Sequence, residues 1–155
     1  MSGDLFAEDS PRAVAHGCNC AGAMGKGIAV EFRRRFPAMY EEYRVRCADG
    51  RFGLGDVFLW REGERAVFNL GTQKTWRTKA RLADVETALG AMAALAAREG
   101  VSEVGLPRIG AGLGALPWAD VRALMERIGA ETAVTVVVFE HYASGDVGDR
   151  DLDAG

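Results

Sequence analysis

Hydrophobic and polar positions along this chain follow two periods. Short runs of strand length lie at Ala13–His16, Asp56–Trp60, Ala66–Leu70, Glu103–Leu106 and Ala133–Phe139. Between them, apolar residues recur every three or four positions, the spacing of one helix face. Gly27–Arg46 carries Ile28, Val30, Phe32 and Phe36 and reads as helix. Pro37 breaks it into two pieces, because proline lacks the backbone donor a helix interior needs. Leu82–Arg98 sets Val85, Leu89, Met92 and Leu95 or Ala96 on one face, and Gly100 stops it. Pro117–Ile128 reads as helix, with Pro117 in its first turn. Glu62-Gly63-Glu64 joins two strands as a hairpin, so that pair is expected to be antiparallel. The β-branched run Ala133–Phe139 predicts a strand buried on both faces. Helices alternating with buried strands predict a three-layer α/β/α domain with a mixed central sheet.

Length fits this picture. With 155 residues, 48% of them hydrophobic, the chain makes one domain with a core rather than two of ordinary size. The domain is expected over 1–143. The Gly- and Asp-rich stretch 144–155 is expected to be an acidic, disordered tail. That tail carries a net charge of −3, which is the charge of the whole chain, so the body is neutral. A neutral body argues against a general nucleic-acid binder, although it leaves room for a local basic pocket. Three cysteines (Cys18, Cys20, Cys47) do not make a disulfide framework and read as reduced thiols, which places the protein in the cytoplasm. No basic leader or membrane-length apolar stretch is found, so no membrane partner is expected.

Glycine changes the picture most. Of 20 glycines, four lie at 17–27 and four at 105–114, each window between a strand and a helix. Backbone that must approach a ligand closely uses glycine. Consecutive backbone N–H groups before a helix suit a phosphate or diphosphate. A tight, closely packed turn is the alternative. Neither window has the spacing of a P-loop or of a dinucleotide fingerprint, which disfavours a dinucleotide oxidoreductase. His16, Cys18 and Cys20 would share one face of a strand, as three zinc ligands might. No fourth ligand accompanies them, so no metal is expected and the thiols read as buried packing groups. Asn19 then faces the other side, where its carboxamide either meets a ligand hydroxyl or closes a turn. Thr72-Gln73-Lys74-Thr75-Trp76-Arg77 forms a polar loop at a strand's carboxyl end.

Together these residues resemble the macrodomains, a family that binds ADP-ribose. Gly3-Asp4-Leu5-Phe6 is similar to the family's opening motif. Ala15-His16-Gly17-Cys18-Asn19 followed by Met24-Gly25-Lys26-Gly27-Ile28-Ala29 is similar to its first ligand loop. Pro107-Arg108-Ile109-Gly110-Ala111-Gly112-Leu113 followed by Trp118 is similar to its diphosphate loop. The nearest branch is that of the terminal ADP-ribose protein glycohydrolases and the DNA ADP-ribosyl glycohydrolase antitoxins. The resemblance implies Asp4, Leu5 and Phe139 at adenine and Asn19 near the distal ribose. It implies Gly25, Lys26, Gly27, Ile28, Gly110, Ala111, Gly112, Leu113 and Gly114 around the diphosphate and distal ribose, with Thr72 beside them.

In that branch a lysine directly follows the threonine. Here Gln73 takes that place and Lys74 comes one later, while the partner acid falls at Gly114. Asn19, Gln73 and Lys74 are therefore the catalytic candidates. The implied reaction is hydrolysis of mono-ADP-ribose from modified protein, ester-linked through Glu or Asp, or from related ADP-ribose adducts. The alternatives are a non-catalytic ADP-ribose reader and an ADP-ribose-1''-phosphate phosphatase. The implied partners are ADP-ribose, ADP-ribosylated protein and ADP-ribosylated nucleic acid. No cofactor, and a monomer, are expected.

Overall fold

Val, Phe, Leu and Trp residues build a five-stranded sheet whose edges and middle differ in burial. The computed structural model describes residues 2–3, 5–7, 10–25, 27–75, 77–108, 116–139 and 141–142. Seven strands and four helices are seen among them. In chain order these are β1 (Ser2–Gly3), β2 (Ala13–Asn19), α1 (Ala29–Arg35), α2 (Pro37–Ala48), β3 (Val57–Glu62), β4 (Arg65–Gln73), α3 (Leu82–Arg98), β5 (Glu103–Pro107), α4 (Trp118–Glu131), β6 (Thr135–Phe139) and β7 (His141–Tyr142).

The sheet order is β3-β4-β2-β5-β6. β4, β2, β5 and β6 run parallel, and β3 pairs antiparallel with β4 through the expected hairpin at Gly63-Glu64. The sheet is therefore mixed, and the three-layer α/β/α class holds. On one face, α3 and α4 cover Ala13, Ala15, Phe68, Leu70, Val104 and Leu106. On the other, α1, α2 and the N-terminal segment cover Val14, Cys18, Phe58, Val67 and Phe139. The split of the first helix at Pro37 is as expected. α3 matches its expected bounds and buries Val85, Leu89, Met92 and Ala96.

Two local expectations need correction, and one pairing is additional to them. β6 is not buried on both faces. It lies at the sheet edge with Thr135 exposed and Val136–Val138 half-buried, so β-branching there follows strand preference rather than full burial. Pro117 is the residue before α4 rather than its first turn, in an extended conformation with ψ 125°. The pair β1–β7 was not anticipated, because two-residue strands carry no hydrophobic period.

One glycine fixes how the hairpin edge packs. A Cβ on Gly71 would stand 2.1 Å from the Gly53 carbonyl oxygen, so the loop before β3 lies directly against the β4 backbone. Gly71 N–H also donates to Asp56 O, and Gly55 N–H to Gly71 O, both at 2.9 Å.

Candidate functional site

All four parallel strands end at one edge of the sheet. The helices after β2 lie on one face and the helix after β5 on the other, although β2 and β5 are neighbours. Such a reversal opens a crevice beyond the carboxyl ends of the two strands, where α/β sheets take their ligands. The ladders show the opening directly. β2 pairs with β4 over seven positions, out to Asn19 and Gln73, but with β5 only at Ala13–Val104 and Val14–Gly105. Beyond Val14 the two strands part. The first glycine-rich window leaves β2 at this gap, and β5 ends beside it at Pro107.

The loop after β2 is held from within. Asn19 closes it: its Oδ1 accepts from Ala21 N–H at 3.0 Å and Ala23 N–H at 3.3 Å, and its Nδ2 donates to Ala23 O at 2.7 Å. Tyr43 of α2 braces the same turn. Its buried hydroxyl lies 2.8 Å from Asn19 O, 3.0 Å from Asn19 Oδ1 and 3.2 Å from Ala23 O. The carboxamide thus makes the turn-closing bonds. It also points to the layer that covers Cys18, not to the opposite one, because the chain curls at the strand end instead of continuing its alternation. Gly22 sits in the loop at φ +88°, a conformation that side chains rarely take. Gly25 is exposed, with open space where a side chain would project, and Gly27 and Ile28 are half-buried at the entry to α1.

Beneath the loop lies a buried polar group that the sequence reading took only as a possible ligand. The His16 ring stacks on Phe32 with centroids 3.7 Å apart, and Phe32 meets Phe6 edge-on at 4.9 Å. His16 Nε2 is 2.7 Å from Asn69 Oδ1, while Asn69 Nδ2 donates to Phe58 O at 3.1 Å. Because the amide group of Asn69 donates there, its oxygen is the acceptor, and His16 carries its proton on Nε2. Burial pushes the imidazole down from 6.5 to about 4, with the Asn69 bond opposing, so His16 is neutral at physiological pH. Cys18 Sγ is 3.5 Å from Nε2. Burial raises the Cys18 thiol well above its usual range and pushes Cys20 up to about 12, so both stay protonated. No three-residue metal cluster occurs among the described residues.

The loop after β4 has the opposite character. Thr72 is an extra residue in the β4 ladder, since Cys18 pairs with Gly71 and Asn19 with Gln73. Its hydroxyl donates to Cys18 O at 3.4 Å. This bulge cancels the strict alternation, so the one-residue offset between Gln73 and Lys74 does not fix which way each points. Gln73 is buried and its Nε2 donates to Thr78 O at 2.7 Å. Lys74 is exposed. The two loops meet at Cys20 N–H, which lies 2.8 Å from Gln73 O and 3.3 Å from Lys74 O. Asn19, Thr72, Gln73 and Lys74 are therefore brought together at one sheet edge.

Leu5 and Phe139 also come together. A Cβ on Gly105 would meet Leu5 Cδ1 at 3.1 Å and Phe139 Cε1 at 3.2 Å, so both pack over the same point of β5, and both are buried. Arg65 ties this N-terminal segment to β4 by donating to Phe6 O at 2.8 Å. At the start of α4 the Arg108 guanidinium lies 5.0 Å from the Trp118 ring centroid. Asp4, Lys26, Gly110, Ala111, Gly112, Leu113 and Gly114 lie outside the described residues, as does the stretch 144–155. Sequence reasoning missed Tyr43 and Asn69. Tyr43 carried a signal, four residues after Met39 on the buried face of α2, but Asn69 sits inside an apolar run and carried none.

Sheet order, layering and the parted strands define a mixed-sheet α/β ligand-binding domain with its site at a topological switch point. A profile of the Macro domain family matches residues 15–125, and the chain belongs to that family. It is similar to the DNA ADP-ribosyl glycohydrolase of Mycobacterium tuberculosis, with 35% identity over 124 residues, covering 77% of this chain and 35% of that protein. It is similar to the human ADP-ribose glycohydrolase OARD1, with 31% identity over 139 residues, covering 90% of this chain and 88% of that one. Its structure superposes on the macrodomain of Mycobacterium tuberculosis DarG with a TM-score of 0.84 at 31% identity, covering 90% and 94% of the two chains. This chain spans about a third of the length of the mycobacterial glycohydrolase it matches. No described helix is long and apolar enough to cross a membrane.

Proposed function

We propose that this domain binds ADP-ribose in the gap between β2 and β5 and hydrolyses it from a modified macromolecule. The observation that carries the reading is the early end of the β2–β5 ladder beside a glycine-rich loop, with β2 and β5 sending their helices to opposite faces. Relatives of both lengths, the mycobacterial protein and human OARD1, bear glycohydrolase names.

In this reading Asp4, Leu5 and Phe139 border adenine. Gly25, Lys26, Gly27 and Ile28 on one side and Gly110, Ala111, Gly112, Leu113 and Gly114 on the other supply backbone donors to the diphosphate and distal ribose. Water attacks the anomeric carbon of the distal ribose. Its oxygen bonds to that carbon as the bond to the departing group breaks, and its surplus proton passes to the departing group or to solvent. An ester-linked Glu or Asp is the favoured substrate, because it leaves as a carboxylate. Asn19 acts by holding the loop that positions the ribose, and Gln73 and Lys74 lie at the mouth to orient water or the leaving group.

Two measurements test this. Calorimetry should show binding of ADP-ribose in preference to NAD; binding of NAD alone would sink the reading. Incubation with a Glu-linked ADP-ribosylated protein should release ADP-ribose; binding without release at high enzyme concentration would leave a reader. Loss of that release in Lys74→Ala would assign the lysine to the chemistry, and unchanged release would remove it.

A further inference from the structure

The helix pair α1–α2 carries an open groove outside both the core and the β2–β5 gap. It encloses about 630 Å³ and is lined by Met24, Gly25, Arg33, Arg34, Tyr40 and Glu41, among others. One end is therefore Gly25, in the loop that the ADP-ribose reading sets against the distal ribose. That is the side from which the rest of a modified macromolecule would leave.

The charges around the groove are unequal in their commitments. Glu31 takes both Arg34 and Arg35, and Glu41 takes Arg44 at 3.4 Å. Arg33 is exposed and has no carboxylate partner among the described residues. Its guanidinium carbon lies 4.5 Å from the centroid of the half-buried Tyr40 ring, and Arg44 stands 5.8 Å from the same ring. A guanidinium over an aromatic ring puts a π surface and charged N–H donors at one place. Single-stranded nucleic acid uses both, with a base on the platform and a phosphate on the charge. An acidic peptide would use the charge and leave the platform unmatched.

We propose that the α1–α2 groove holds a single nucleic-acid strand next to the ADP-ribosylated nucleotide, with a phosphate on Arg33 and a base against the Arg33–Tyr40 stack. The proposal rests on the ADP-ribose reading and names the macromolecule that site would serve. It also reconciles the neutral body with a nucleic-acid partner, since the contact is local.

The experiment uses Arg33→Glu and Tyr40→Leu in the full chain. Both positions lie away from the β2–β5 gap, so free ADP-ribose should bind these variants as it binds the wild type. Fluorescence anisotropy with unmodified 12-nucleotide single strands of DNA and of RNA should show salt-sensitive binding. That affinity should fall about tenfold in each variant. With an ADP-ribosylated oligonucleotide, KM should rise by a similar factor at unchanged kcat, while release from a Glu-linked peptide stays the same. The stronger of the DNA and RNA arms identifies the strand. Oligomer binding equal in wild type and both variants would overturn the proposal, as would an Asp/Glu-rich peptide that outcompetes both strands. A wild-type protein that binds the oligomers but not ADP-ribose would instead sink the reading of the β2–β5 gap and leave the groove standing.

Discussion

The two faces of the sheet are built from different materials. The face under α3 and α4 is mainly aliphatic and alanine-rich, with Leu70, Leu89, Met92, Leu106 and Met125 buried around Phe68. The face under α1 and α2 is aromatic, with Phe6, Phe32, Phe36, Tyr43, Phe52, Phe58 and Phe139. Threaded through it are His16, Asn69 and Asn19, each hydrogen-bonded. The first face needs only shape and burial. The second must also hold a turn at fixed height above the sheet, and a buried hydrogen bond specifies position where methyl groups do not. The face that carries the glycine-rich turn is thus the one laced with polar contacts.

The comparison can be broken most strongly at Phe32. Phe32→Ala removes the ring between His16 and Phe6 and should cost about 3–5 kcal/mol in urea unfolding. The matching cut on the aliphatic face, Met92→Ala, should cost about 2–5 kcal/mol. If the faces differ as described, the folded Phe32→Ala protein loses ADP-ribose affinity in calorimetry and Met92→Ala does not. Equal losses of affinity would erase the distinction.

Acid should separate the faces next. The unfolded chain protonates His16 below pH 6.5, whereas the folded protein holds it neutral down to about 4. The unfolded state therefore binds more protons in that window. Stability should fall with decreasing pH between 6.5 and about 4 from this group, and by no more below it. Urea midpoints from pH 8 to 4 for the wild type and His16→Gln should show a shallower fall in the variant; parallel curves would remove His16 as the cause.

The finest cut is Tyr43→Phe, which keeps the ring and deletes the brace on Asn19 and Ala23. It should cost about 1–2 kcal/mol. Hydrogen exchange at Ala21 and Ala23 should quicken while that of α3 stays unchanged. Unchanged exchange at those amides would show that Asn19 closes the turn without help.

Much of the scaffold was legible because its periods are strong. The break at Pro37, the bounds and face of α3 and the hairpin at Gly63 are local facts, each set by one residue type or one spacing. β6 was misread because a β-branched run looks the same at a sheet edge and at its centre. The first glycine window marked the loop that leaves β2 beside the gap, but spacing alone left a tight turn and a ligand loop equally open.

By itself, then, the sequence determined the elements, their alternation and the chemistry available at each turn, since these depend on neighbours a few residues apart. Only the tertiary structure decided how those groups are used. Asn19 closes its own turn because Tyr43, 24 residues away, reaches it. His16 is neutral because folding buries it completely, with its ring stacked on Phe32, and this outweighs the opposing Asn69 bond. The gap exists because β4, not β5, follows β2 to its end. Each depends on contacts between segments far apart in the chain, which a local pattern does not encode.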